Sequence, residues 1–317
     1  DVIKESGADI LRLWVSSADY KSDIRISKNI LKQLSEGYRK IRNTARYMIG
    51  NLSDFDPNTD KINYDNMNEL DKWAMLKLQK LISGVTNAYE NYNFHVVYHD
   101  IHNFCVVDMS NFYLDIVKDR LYTEKTDSSE RRAAQTVMYE ILNALVRMIA
   151  PVMSFTAEEI WSFVKKEDGE SAESVLLAEW PQVSDDSSDK DLEDKWDKMR
   201  EIRTEVSKAL EIARREKVIG NSLNAKVYIN AEGEVYDFLE NMREYLETIF
   251  IVSQLELTKG VKLESDSVYT SEEMKDLSVL VQQAPGEKCE RCWIFSSTIG
   301  EDKDHLTLCT RCSTVVK

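Results

Sequence analysis

The chain has 317 residues, a length that suits two or three domains, and a hydrophobic content of 43% that is sufficient to bury a core. Only 4 prolines and 10 glycines favour long helices over a turn-rich β architecture, and we expect neither a membrane span nor a signal peptide. The net charge of −15 argues against a generic nucleic-acid binder, because phosphate needs local positive charge. The first residue is Asp1 and not Met, so we expect a fragment of a longer protein.

The first clear helix is predicted from about Lys28 to Leu52, with Ser27 as its N-cap. Apolar residues recur at steps of three and four, and a second, basic stripe lies about 120° away around the helix. Such a stripe is most often a solvated face, but here Glu36 is almost the only compensating acid, which favours a phosphate partner. We call this stripe the basic ridge, and it consists of Lys28, Lys32, Ser35, Arg39, Arg42 and Arg46.

Four further helices are predicted before residue 167, and the short connections between them indicate an antiparallel bundle. The second helix spans about 67–91, and the third spans about 94–120 with a break near Ser110. The fourth spans about 130–149 and ends before Pro151. Thr156 and Glu159 form a capping-box pattern for the fifth, which is expected to end near Lys166.

An acidic segment, 167–197, follows the bundle, and we interpret it as a solvated linker. Beyond it, a helix over 196–216 and two strand-like segments, 226–229 and 255–258, with a helix over 234–249 between them predict a small α+β unit. The acids of the linker include Asp185, Asp186, Asp189, Asp191, Glu193 and Asp194.

Four of the five cysteines form two C-x-x-C pairs close to the C-terminal end of the sequence. Each C-x-x-C turn lets two thiolates point at one ion, and two such turns supply the four soft ligands that suit tetrahedral Zn²⁺. The pattern therefore predicts one structural zinc ion per chain. Its expected ligands are Cys289, Cys292, Cys309 and Cys312.

Other residues of metal-binding type are interpreted as structural. His305 lies between the two cysteine pairs, but four cysteines already complete a tetrahedral site. His95, His99 and His102 share one helix face among apolar residues, which favours buried, hydrogen-bonded imidazoles over a metal cluster. Cys105 lies in an apolar helical pattern and is predicted to be a core residue.

Several long strings resemble the C-terminal part of the bacterial isoleucyl-tRNA synthetase family. They are DMSNFYLDIVKDRLYT at 108–123, APVMSFTAEEIW at 150–161, RTEVSKALEIARREKVIGNSLNAKV at 203–227, and the terminal CERCW and CTRC. The opening, DVIKESGADILRLWV, resembles the segment that follows the family's K-M-S-K-S loop. The resemblance runs over nearly the whole chain in consistent order. Valyl- and leucyl-tRNA synthetases share the helical module, whereas the four-cysteine motif favours the isoleucyl family.

This resemblance implies a mainly α fold: an antiparallel anticodon-binding helix bundle, then a small α+β unit and a C-terminal four-cysteine zinc module. The expected domains are 1–27, the trailing end of a catalytic and stem-contact region, and 28–184, the bundle. They continue with 185–280, the acidic linker and α+β junction domain, and 281–317, the zinc-binding module.

The resemblance also implies a role in holding tRNA along its anticodon stem-loop, within a cytoplasmic enzyme that joins isoleucine to its tRNA using ATP. The family's nucleotide-binding signatures, H-I-G-H and K-M-S-K-S, are both absent from the chain, so we expect it to hold no catalytic residue. The expected partners are an isoleucine-accepting tRNA and an upstream catalytic domain, in a monomer with no membrane association. The alternatives are the same region of a valyl-type synthetase, or a zinc-stapled helical scaffold that binds protein.

Three groups of residues are candidates for contact with tRNA, because RNA loops are recognised by cations at phosphates and by aromatic or Arg planes at bases. One group lies on the basic ridge, one precedes the turn at Gly220, and one lies on the first zinc knuckle. They are Lys32, Arg39, Arg42 and Arg46; Arg214, Arg215 and Lys217; and Arg291 and Trp293.

Some of these side chains have a structural alternative. Trp293 could pack over the metal as part of a small core, in place of stacking on a base. Lys118 and Arg120 are interpreted as partners of Asp115 or Asp119 within the bundle, and not as RNA contacts.

Overall fold

The structure, a computed structural model, describes residues 1–21, 23–184, 188–263, 265 and 267–317. These residues form two compact units: unit 1 comprises 1–121 and 126–193, and unit 2 comprises 122–125 and 194–317. Asp185 and Asp186 of the predicted linker lie outside the described residues. Within the described ranges, no helix is both long enough and apolar enough to cross a lipid bilayer. The four-domain division predicted from the sequence stays a prediction.

Unit 1 is built mainly from helices. Short 3₁₀ turns occur at Tyr64–Asn66 and Val175–Leu177. The helices are α1 (Val2–Ser6), α2 (Ala8–Ser16), α3 (Lys28–Asn51), α4 (Glu69–Glu90), α5 (Phe94–Asn103), a π-helix (Phe104–Tyr113), α6 (Leu114–Ile116), α7 (Lys118–Thr123, which ends in unit 2), α8 (Ser129–Ile149) and α9 (Ser154–Trp161).

Helix α3 confirms the two-faced helix predicted from the sequence. The Ser27 side chain accepts a hydrogen bond from the backbone N–H of Ile30, which is the predicted cap. Ile41, Ala45 and Met48 are almost fully buried, and the basic stripe lies on the outer side of the helix. The apolar period alone was sufficient to orient this helix.

The predicted break near Ser110 is wrong, because the chain there continues as a ten-residue π-helix. The hydroxyl of Ser110 lies 3.0 Å from that of Thr44 on α3, and Thr44 Oγ1 also lies 3.4 Å from the carbonyl oxygen of Cys105. The polar side chain therefore finds a partner without ending the helix. Cys105 is fully buried, as expected.

The predicted capping box at Thr156 and Glu159 is also wrong. Helix α9 begins at Ser154, and its first turn is capped from another helix: Asp9 of α2 accepts hydrogen bonds from the backbone N–H groups of Phe155 and Thr156 and from the Thr156 hydroxyl. The helix ends at Trp161 and not near Lys166. A cap supplied by a distant carboxylate leaves no local sequence pattern.

A buried ion pair lies in the bundle. Asp71 on α4 is fully buried; it accepts a hydrogen bond from the Tyr113 hydroxyl at 2.7 Å and two from the Arg120 guanidinium at 2.8 and 2.9 Å. Lys118 pairs with Asp115 at 2.8 Å, as the sequence predicts. The sequence predicted that Arg120 pairs with Asp115 or Asp119. In the structure, its guanidinium instead donates two hydrogen bonds to the Asp71 carboxylate.

Unit 2 contains a four-stranded sheet with strand order β2-β1-β4-β3, in which β1 pairs parallel to β2 and antiparallel to β4. The predicted strands are confirmed as β1 and β2, whereas β3 and β4 were not predicted, and the predicted helix over 234–249 is divided. The elements are α10 (Lys190–Arg215, which begins in unit 1), β1 (Ala225–Ala231), α11 (Gly233–Asn241), α12 (Leu246–Phe250), β2 (Gln254–Lys259), β3 (Tyr269–Thr270), β4 (Leu277–Gln283), β5 (Glu287–Lys288), β6 (Phe295–Ser296) and α13 (Thr310–Val316).

Candidate metal centre and basic surfaces

The four predicted metal ligands are brought together. The sulfur atoms of Cys289, Cys292, Cys309 and Cys312 all lie within 4.8 Å of one another, and all four residues are buried. The first pair lies on the turn between β5 and β6, and the second lies at the start of α13, whose N-cap is Cys309. The distance between the sulfurs of Cys292 and Cys309 is 3.7 Å, too long for a disulfide and suitable for two ligands of one ion.

Backbone geometry shapes the first knuckle. The N–H of Cys289 donates to the carbonyl of Ile294, and the N–H of Trp293 donates to the carbonyl of Cys289, both at 2.9 Å. Gly286 precedes the knuckle at φ +96°, and a Cβ there would lie 2.6 Å from the backbone carbonyl of Ser296. Only glycine fits this position, because both the close approach and the positive φ exclude a side chain.

The electrostatics of the sulfurs favour a cation. Burial raises the pKa of Cys289, but hydrogen bonds from the backbone amides of Cys292, Cys309 and Arg291 outweigh it and lower the pKa to about 6. Burial raises the pKa of Cys292 to about 11. A second thiolate beside Cys289 is therefore costly without a positive ion between them, which is the role that a divalent metal fills.

The two knuckle residues proposed to contact RNA differ in exposure. Trp293 is 59% exposed, and the cysteine cluster packs against Ile294, Ile299 and Leu308. The exposure of the indole favours the base-stacking interpretation, which stays a prediction. Arg291 is half-buried, and its Nη2 donates to the carbonyl oxygen of Thr123 at 3.1 Å.

The basic ridge lies on the outer side of α3, but its cations are not equivalent. Arg42 pairs with Glu159 of α9 at 2.6 Å, and Arg39 pairs with Glu36 at 3.3 Å. Lys32 and Arg46 are exposed and make no ion pair within the described part of the chain. Sequence reasoning missed Glu159 as a compensating acid because it lies 117 residues away.

Sequence reasoning also missed Lys40, which is exposed on α3 beside the half-buried His102. Burial lowers the pKa of His102, and the charge of Lys40 lowers it further. The helical period could have identified Lys40. It lies about 80° around the helix from Lys32, and so at the edge of the same exposed face. Among the described residues, the cysteine cluster is the one group of three or more His, Cys, Asp or Glu side chains placed to hold a metal ion.

The second basic cluster lies at the C-terminal end of α10, in unit 2. Lys217 adopts φ +61°, and the N–H of Val218 donates to the carbonyl of Ala213 at 2.9 Å, which closes the helix with a Schellman motif. Arg214 pairs with Glu211, whereas Arg215 is exposed. Arg214 and Arg215 lie in the last turn of α10, where a positive charge is stabilised by the negative end of the helix dipole. This structural role does not require a ligand.

Comparisons with known proteins match two separate parts of the chain to two families. Residues 71–229 match a family described as the anticodon-binding domain of tRNA ligase, and residues 286–315 match a family described as a zinc finger found in FPG and IleRS. The zinc-finger match and the cluster of four sulfurs together assign one structural zinc ion to the C-terminal module.

Curated isoleucine–tRNA ligases match the chain over its full length, and two are given as examples. Isoleucine–tRNA ligase of Moorella thermoacetica is 52% identical over 317 residues, and that of Caldicellulosiruptor saccharolyticus is 54% identical over 320 residues. The chain spans only 34% and 33% of these proteins. Among solved structures, a LeuRS–tRNA–LeuAMS complex from Agrobacterium radiobacter K84 is similar over 73% of this chain and 23% of that chain, with a TM-score of 0.42 and 16% identity.

Proposed function

This chain belongs to the family of anticodon-binding domains of tRNA ligases, and from that premise we propose that it is the tRNA-binding part of an isoleucine–tRNA ligase. The observation that carries the proposal is the match to isoleucine–tRNA ligases over all of this chain at 52–54% identity. In the proposed whole protein, a cytoplasmic monomer, upstream domains join isoleucine to its tRNA with ATP. This part holds the anticodon stem-loop and carries no catalytic residue.

The exposed cations supply the proposed contacts to phosphate. Among the residues that the structure describes, Lys32 and Arg46 have no acidic partner, so their full charge is available to RNA. Arg39 and Arg42 share their charge with Glu36 and Glu159. In unit 2, the proposed contacts come from the α10 terminus and the first zinc knuckle. They are Arg214, Arg215, Lys217, Arg291 and Trp293.

The proposed zinc ligands are Cys289, Cys292, Cys309 and Cys312. When bound, the ion supplies no chemistry beyond cross-linking, because four thiolates complete a tetrahedral shell. The chain's own contribution is the pair of turns that aim the sulfurs at one point. The ion thus fixes the backbone on which Arg291 and Trp293 are carried.

The test is binding to an isoleucine-accepting tRNA, measured by electrophoretic mobility shift over a series of salt concentrations. We expect affinity to fall steeply with salt, because each phosphate contact releases counterions. A valine-accepting tRNA is the matched control for specificity. The alternative function is a scaffold that binds protein, and the net charge of −15 favours it. A chain that binds no tRNA at low salt would contradict our proposal.

A further inference from the structure

A groove of about 890 Å³ opens on the surface of unit 1, where α8, the end of α9 and the segment 165–173 meet. Lys166 lies on its wall and is half-buried. Its ammonium lies 3.0 Å from the centre of the Trp161 indole and donates a hydrogen bond to the Trp161 carbonyl oxygen at 3.1 Å. The amine is thus held against an aromatic plane, in a space wide enough for a small molecule.

Lys166 differs from the other cations of this groove in its partners. Lys61 pairs with two glutamates, both at 2.6 Å, and Arg147 pairs with Glu170 at 2.7 Å. Lys165 donates to two backbone carbonyl oxygens, at 2.6 and 3.1 Å. Within the described part of the chain, Lys166 has no acidic partner, and its contacts are one carbonyl and the indole. Its positive charge is therefore less well stabilised than those around it.

The environment of Lys166 favours the neutral amine. Burial lowers its pKa from 10.5 to about 8. The charge of Glu170 opposes this shift, that of Arg147 adds to it, and that of Glu158 opposes it. At pH 8 about half of the Lys166 side chains are therefore neutral, whereas the neutral fraction of an ordinary lysine is about 0.4%. The neutral amine is the nucleophilic form.

We infer that Lys166 is a site of acylation by small activated acyl groups, carried as acyl phosphates or acyl thioesters, that enter this groove. The Lys166 nitrogen attacks the acyl carbonyl carbon, a C–N bond forms, and the bond from that carbon to the phosphate oxygen or the sulfur breaks. The leaving group departs with the electron pair and takes up the proton that the amine loses. The products are an amide and either hydrogen phosphate or a free thiol. The uncharged amide loses the cation–π contact with Trp161, and no part of this step depends on the proposed binding of tRNA.

The experiment treats the full chain with acetyl phosphate at pH 8 and follows acetylation of each lysine over time by peptide mass spectrometry. We expect Lys166 to react about tenfold faster than Lys165, its neighbour on the groove, because its larger neutral fraction outweighs its lower basicity. Lys303, an exposed lysine of unit 2, is a second reference and should also react about tenfold more slowly than Lys166. S-acetyl-N-acetylcysteamine, an uncharged thioester, is the second donor. The same preference for Lys166 with both donors supports a reactive amine, and a preference with acetyl phosphate alone supports an acyl phosphate as the donor.

Glu170→Gln tests whether the surroundings of the amine cause its reactivity. It removes a charge that raises the pKa of Lys166, so acetylation of Lys166 at pH 7 should become about twofold faster, with Lys303 unchanged. Lys166→Arg keeps the positive charge and should abolish the modified peptide, which verifies the assignment of the site. The inference is overturned if Lys166 reacts no faster than Lys303 with either donor, or if Glu170→Gln leaves its rate unchanged.

Discussion

Asp71 illustrates how one buried charge is held in the bundle. Its carboxylate is inaccessible to solvent and accepts hydrogen bonds from the Tyr113 hydroxyl and the Arg120 guanidinium. Burial disfavours the charge on Arg120, but the Asp71 carboxylate outweighs burial and raises the arginine's pKa. The guanidinium therefore stays charged, and each side chain depends on the other for its buried hydrogen bonds.

We predict that Asp71→Ala destabilises unit 1 by about 3–5 kcal/mol, because it leaves the Arg120 charge without its partner. Urea unfolding followed by circular dichroism measures the change. Asp115→Ala is the control, since Asp115 pairs with the exposed Lys118, and its cost should stay within about 1 kcal/mol. Equal costs for the two substitutions would contradict the buried-pair interpretation.

Asp54 gives a prediction for the dependence of stability on pH. The hydrogen bond from Arg131 lowers the Asp54 pKa from 3.8 to about 2, with burial opposing it and Gln135 assisting. Because the folded pKa lies below the unfolded value, the contribution is complete above about pH 4 and is lost as pH falls toward 2. We expect the unaltered chain to lose more unfolding free energy than Asp54→Asn between pH 5 and pH 2.5. Parallel losses would show that the pair adds no stability.

At the scale of elements, α3 has an apolar face for the core and an outer face for a ligand. The outer face is only partly neutralised, because Glu36 and Glu159 pair with Arg39 and Arg42, and no acid pairs with Lys32 or Arg46 in the ranges that the structure covers. Ion pairs this exposed contribute little stability. The unpaired cations are therefore the better probes of RNA contact.

We predict that Lys32→Glu with Arg46→Glu weakens tRNA binding and lowers the salt slope by about one unit for each lost phosphate contact. Helicity should stay near normal, because both side chains are exposed. Arg42→Gln is the matched control on the same helix: it removes a cation already paired with Glu159, so its effect should be smaller. An unchanged affinity and slope for the double variant would show the ridge to be only a solvated face.

The zinc module is the element that depends on its ion, since its core consists of four cysteines and three partly buried apolar residues. We predict that elemental analysis finds one zinc per chain. Chelation should unfold 286–315 and leave the helices of unit 1 intact in circular dichroism, because so short a segment has little core without the metal. Cys105→Ala should retain the zinc. A metal-free chain with an ordered C-terminal module would contradict the assignment.

At the scale of the whole molecule, net charge is a poor guide to RNA binding. The total of −15 contains 56 acids and 41 basic residues, and the two signs are unevenly distributed. Phosphates respond to the local field within about 10 Å at moderate salt, so an acidic protein can bind RNA through one basic face. What matters is which cations lack an acid nearby.

The features that the sequence predicts correctly are local ones. The two faces of α3 and the Ser27 cap depend on residues within a few turns of one another, and each C-x-x-C pair lies on a single turn. The alternation over 226–229 likewise identifies β1 from neighbouring residues. In each case the interacting groups are close in the chain, so their spacing in the sequence is sufficient to predict the local structure.

The features that required the fold are contacts between distant residues. Asp9 caps α9 across 147 residues, Arg42 meets Glu159 across 117, and Asp71 meets Arg120 across 49. No spacing rule links such residues, because their proximity follows from how the helices pack. The exposure of Trp293 belongs to the same class: the motif places it on the knuckle, but only the packing of Ile294, Ile299 and Leu308 around the cysteines leaves the indole outside.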